Sequence, residues 1–165
     1  MLIVEAAHRL RGWAWIERRL FEVVGRWATD TPEPDIARWL ATAAHHHAWR
    51  ADLWDERVPV LHDVEAVAPP AGWAALLDGS PATTVLRLDT LAEVALPALL
   101  AEYEEALAGA SEVADGPLAR GLRLAIPDAT EDRQSALALL AVAADDAQVA
   151  DHRSSMRALL EGPTS

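Results

Sequence analysis

Glu17 stands inside an apolar stripe. Leu10, Trp13, Leu20, Val24 and Trp27 recur at three- and four-residue spacing, the mark of one helix face. At about 100° per residue, Glu17 falls near the centre of that face. A carboxylate directed into a helical core is costly without a partner, so the position calls for a cation, a hydrogen-bond donor or a metal. The run His45-His46-His47 supplies candidates on the next helix. His47 shares the centre of an apolar face with Ile36, Ala43 and Trp54. His46 lies at the edge of that face, beside Trp39 and Leu53, and His45 points to solvent near Asp52. Arg50 also leans toward the core. Further along, Tyr103 faces inward with Glu102 at the rim. The last long helix places Arg133 and Asp151 on its inward face, with Asp132 beside them.

Three chemistries fit this convergence. The first is a buried polar network of Glu17, His47, Arg50, Arg133 and Asp151, pairing Glu17 with Arg50 and Asp151 with Arg133. It fixes helix register and needs no cofactor. The second is a metal site taking Fe or Mn from Glu17, His47, Glu102 and Asp132, since carboxylates and imidazole between facing helices are metal ligands. The third is a small-molecule pocket lined by Trp13, Trp54 and Tyr103. A Glu5-x-x-His8 spacing also occurs, but both residues fall on the outward side of the first helix. Trp15 and Trp49 map to outer faces as well, which suggests a homo-oligomer, a homodimer built through helices 1 and 2.

These residues require a small set of elements to position them. The periodicity predicts helix 1 from about residue 2 to 28. Thr31 is then a suitable N-cap and Pro32 a suitable first-turn residue for helix 2, which runs to about residue 57 before Pro59. Residues 59–80, with Val60-Leu61 and the Pro69-Pro70 pair, read as a crossover loop with one short helical turn at most. Helix 3 spans about 80–108 with Leu88, Leu91, Ala95, Leu99 and Tyr103 on one face, and Pro97 should kink it. A short helix at 117–125 ends before Pro127. Asp128 with Glu131 then makes a capping-box-like start for a helix reaching about residue 160, with Ala136, Leu140, Ala143, Ala144 and Ala147 inward. The predicted core includes Trp13, Leu20, Val24, Ile36, Leu40, Leu91, Leu99 and Leu140. No strand pattern and no repeat is visible. The expected class is all-α, a single helical-bundle domain over 1–165 of four long helices, with one long crossover and a short extra helix.

Composition narrows the function. The 165 residues carry a formal net charge of −12 and 52% hydrophobic residues, enough for one domain with its own core. No basic patch exists, so neither nucleic acid nor an anionic membrane is an expected partner. There is no cysteine, and hence no disulfide or thiolate chemistry. All 14 basic residues other than His are Arg, and the absence of Lys removes Schiff-base chemistry. The first residues lack a positive n-region and a long apolar run, so no signal peptide is expected and a cytoplasmic location is.

The inward Glu17 and the helix order resemble the ferritin-like superfamily, whose members hold two metals in a four-helix bundle. That family's pattern is one Glu from each of two helices and Glu-x-x-His from each of the other two. Glu17 matches the first single Glu, Glu102 the second, and His47 the His of the second helix. The position three before His47 is Ala44, and for His46 it is Ala43. On the last helix the pair is Ala129-x-x-Asp132. Both bridging carboxylates are therefore replaced. The segments His46 to Trp54 and Ala114-Asp115-Gly116-Pro117 through Ile126-Pro127-Asp128 are similar to actinobacterial ferritin-like proteins. The resemblance implies a bundle with a degenerate di-metal centre that acts in binding or assembly. The alternative it implies is a metal-dependent oxidoreductase with an atypical carboxylate/histidine site.

Overall fold

A computed structural model describes residues 3–59, 70–79, 81–111, 114–143 and 146–161. Among these the chain is all-helical, with no strand. The elements are α1 (Ile3–Asp30), α2 (Pro34–Asp55), α3 (Ala71–Asp78), α4 (Thr84–Asp89), a π-helical segment (Thr90–Ala95), α5 (Leu96–Ala108), α6 (Gly116–Ala143) and α7 (Asp146–Glu161). α1 packs along α2. α6 lies against α2 and against the α4–α5 run, and α7 packs on α3 and the π-helical segment.

The predicted core residues Trp13, Leu20, Val24, Ile36, Leu40, Leu91, Leu99 and Leu140 are all buried. The α1 stripe closes on α2, and the two helices meet through small residues at Gly25 and Ala44. The turn between them starts later than Thr31 and Pro32 suggested. The Thr31 hydroxyl donates to the Trp27 carbonyl at 2.7 Å and so finishes α1. α2 then begins at Pro34, a second proline suited to a first turn, with Glu33 at the N-cap position. The crossover contains a real helix, α3, which buries Trp73, Leu76 and Leu77. Val60, Leu61 and Pro69 lie outside the described residues.

Prolines shape the other two long runs in ways the sequence did not disclose. At Pro97 the helix continues with a widened turn. The Leu96 N–H reaches back five residues to the Leu91 carbonyl. Pro97 has no N–H, so the carbonyl it would serve, Ala92 in the wide register or Glu93 in the ordinary one, lacks that donor. Arg133 Nε on α6 donates to Ala92 O at 3.0 Å, and Arg157 Nη2 on α7 donates to Glu93 O at 3.1 Å. At Pro127 the expected break is absent: α6 runs through it as one helix. Arg123, four residues earlier, is exposed, so water can serve the carbonyl freed there. Asp128 is consequently mid-helix and no cap. The expected single helix to residue 160 is instead α6 followed by α7. Ala143 is exposed rather than inward, while Ala144 and the side chain of Ala147 lie outside the described residues.

Candidate functional site

The site is built where α1, α2, α5 and α6 face one another. The stripe on α1 carries Glu17 to full burial. One turn of α2 brings His47 and Arg50 to it from the same side, three residues apart. Arg50 Nε donates to Glu17 Oε1 at 2.7 Å, and His47 Nδ1 lies 2.5 Å from Glu17 Oε2. Tyr103 on α5 donates its hydroxyl to Glu17 Oε1 at 2.8 Å, and Trp54 Nε1 donates to the Tyr103 oxygen at 2.8 Å. α6 completes the group. Arg50 Nη1 donates to Asp132 Oδ2 at 2.9 Å and to Asp128 Oδ2, and His46 Nδ1 lies 2.7 Å from Asp132 Oδ1.

Charge decides the protonation of its centre. Burial pushes the Glu17 carboxyl up, but Arg50 and His47 outweigh it and hold the group below its usual range. His47 Nδ1 faces two groups of this network, Glu17 Oε2 at 2.5 Å and Nη2 of Arg50 at 2.8 Å. Nε2 of His47 is buried and has no partner among the described residues. Burial opposes the charge on Arg50 as well, and Glu17 and Asp132 keep it a cation well beyond its ordinary range. Tyr103 is pushed up by burial first and by the Glu17 charge second, so its hydroxyl remains a donor.

The structure brings together Glu17, His47, Arg50 and Asp132. It places Glu102 elsewhere: its carboxylate accepts from the indoles of Trp13 at 2.9 Å and Trp73 at 3.2 Å, and it ties α3 to α1 and α5. Asp151 is exposed, and Arg133 serves the Ala92 carbonyl, so that expected pair does not form. Trp13, Trp54 and Tyr103 meet ring to ring at 5.0 to 5.2 Å between centroids, which leaves no room for a ligand between them. Trp15 is partly buried against the core, whereas Trp49 is 44% exposed. Glu5 and His8 are both exposed.

Two carboxylates of consequence escaped the sequence reading. Asp128 looked like a helix cap because Pro127 precedes it; only the continuity of α6 carries it to Arg50. Asp89, fully buried between Leu88 and Leu91, receives Nε and Nη2 of Arg153 on α7 at 3.0 and 2.5 Å. Its neighbour Thr90 contacts His152 Nε2 at 2.9 Å. Its place within the apolar stripe of that helix is the same signal that exposed Glu17, and it could have been read in the same way.

Comparison with protein-family models, with curated proteins and with solved structures finds no match for this chain.

Two outcomes test this geometry. Arg50→Met alone should destabilise by about 3–5 kcal/mol in urea unfolding, because it strands buried carboxylates. Replacing Glu17 with Leu in addition should recover little while Asp132 stays buried; the triple change with Asp132→Leu should recover most of the loss. Glu17 also predicts an acid limb. Its folded pKa lies below the ordinary 4.5, so the stability it adds is full above that value and is lost as pH falls below it. The stability gap between wild type and Glu17→Gln should shrink from about pH 7 to about pH 3.5 in urea melts. A constant gap would show that folding does not shift the carboxyl, and a gap that grows toward acid would show that it is held protonated in the fold.

Proposed function

We propose that this chain is a ferritin-like four-helix bundle whose di-metal centre has been replaced by a guanidinium, and that it acts in binding or assembly. The four long helical runs of this reading are α1, α2, α4 through α5, and α6, with the crossover between α2 and α4 carrying α3. The observation that carries the reading is Arg50. It is fully buried and donates to carboxylates of both α1 and α6, where a cation in the family pattern would be held. Alanines at 44 and 129 leave no bridging carboxylate. Both Glu17 oxygens are taken, one by Arg50 and Tyr103 and the other by His47. The rival reading, a metal-dependent oxidoreductase using Glu17, His47, Glu102 and Asp132 with Fe or Mn, needs those same Glu17 oxygens. No helix of the described residues is long and apolar enough to cross a membrane.

Assembly is supported by apolar side chains on the outer surface of the α1–α2 pair, where Phe21 is 40% and Trp49 44% exposed. Aromatic residues of this kind anchor interfaces when a partner covers them.

Metal analysis of protein purified without a His tag tests the central part. Fe and Mn occupancy should not depend on Glu17. One such ion per chain, lost in Glu17→Gln with helix content unchanged, overturns the reading in favour of the oxidoreductase. Sedimentation velocity across a concentration series tests the assembly part: a homodimer is expected, weakened by Trp49→Ala. A strict monomer overturns it.

A further inference from the structure

The carboxylates of α6 are only half used by Arg50. Asp128 and Asp132 lie four residues apart, one helical turn, and each gives its Oδ2 to Nη1 of the guanidinium. Asp132 Oδ1 faces His46 Nδ1, and Asp128 Oδ1 has no partner among the described residues. One ligating atom from each of His46, Asp128 and Asp132 lies within 4.8 Å of the other two. Ligands of a tetrahedral first-row divalent ion bound at about 2.0–2.2 Å from nitrogen and oxygen stand roughly 3.3–3.6 Å from one another. The His46 side chain, 39% exposed, has freedom to adjust to such a spacing.

Charge points the same way independently. The Arg50 cation is matched by Glu17, and both are fully buried. Asp128 and Asp132 then add two negative charges that no described side-chain cation other than Arg50 reaches within ion-pair distance, unless His46 is protonated. Asp132 is itself buried, where unbalanced charge is most costly. A proton on His46 would offset one charge; a divalent ion offsets both. The donor set of one imidazole and two carboxylates suits a first-row transition ion better than magnesium, which favours oxygen ligands alone. Access is open as well, since Asp128 is part exposed beside His46 while Asp132 closes the inner side.

We propose that His46, Asp128 and Asp132 bind a single divalent first-row transition cation at the α2–α6 edge. Arg50 acts as a positioning residue that holds Oδ2, the inner oxygen, of each carboxylate. Water fills the remaining coordination positions. The proposal extends the binding reading above and rests on Arg50, not a metal, occupying the interior.

Calorimetric titration of Zn²⁺ into the metal-stripped, tag-free full chain tests it, with Mn²⁺ binding followed by electron paramagnetic resonance. One ion per chain is expected. His46→Gln and Asp128→Asn, both at partly exposed positions, should each weaken binding at least about tenfold with unchanged helix content. His45→Gln on the solvent face should leave it intact. Failure to bind either ion up to about 100 µM overturns the site, as does binding indifferent to Asp128→Asn. Equal loss in His45→Gln would show surface-histidine capture and also overturns it. An ion that both edge variants retain but Glu17→Gln removes would overturn this site and the proposed function together, whereas absence of any ion overturns this site alone.

Discussion

Arg50 carries a full charge into the centre of the molecule, and the surrounding helices are arranged around its needs. Its Nε and Nη1 donate to carboxylates of α1 and α6, while its own backbone belongs to α2. A planar fork with fixed donor directions can do this; the ammonium of a lysine, a point charge on a flexible stem, could not reach three carboxylates at set angles. Removing either side leaves charge stranded in a medium that cannot solvate it, so the three helices are tied to one register. The ring of Trp13, Trp54 and Tyr103 seals the inner side of this group, and the Tyr103 hydroxyl turns that seal into a further donor for Glu17.

The same fork gives the site two faces of different character. Toward the core, both Glu17 oxygens have partners and the carboxylate is fully buried. Toward the α2–α6 edge, each aspartate keeps an oxygen that Arg50 does not use. His46 and His47, adjacent in sequence, fall on opposite sides of this boundary: one ring is buried against Glu17, the other stands part exposed beside Asp132. Adjacent residues on a helix differ by about 100° in direction, and here that angle separates a fully buried imidazole from a part-exposed one.

Much of this was legible in the sequence because a 3.6-residue period is a strong signal when the elements are long. The inward positions of Glu17, His47 and Arg50 followed from their places among Trp13, Leu20, Ile36, Ala43 and Trp54. What failed did so at prolines and at element ends. Pro127 reads as a stop, yet an exposed helix side tolerates the lost hydrogen bond, and the error hid Asp128. Arg133 and Asp151 were paired by wheel position alone, which assumes one straight helix; separate α6 and α7 remove that assumption. Glu102 was read as a rim ligand because nothing in a one-dimensional pattern shows that the indoles of Trp13 and Trp73 point at it.

The widened turn at Pro97 has a wider meaning for how helices recognise one another. Beside the missing N–H and the change from wide to ordinary register, the carbonyls at 92 and 93 are taken by guanidinium groups from two other helices. Main-chain acceptors are present whatever side chain occupies those positions, so substitution at Ala92 or Glu93 cannot erase them. Part of what docks α6 and α7 at this turn therefore traces to residue 97, an imino acid that touches neither arginine through a polar group, beside the side-chain pair of Arg157 with Glu93. A single proline thus acts as a portable socket for arginine. Placed in an exposed turn of an otherwise apolar helix, it would give a protein designer a directional acceptor pair without adding a polar side chain to the core.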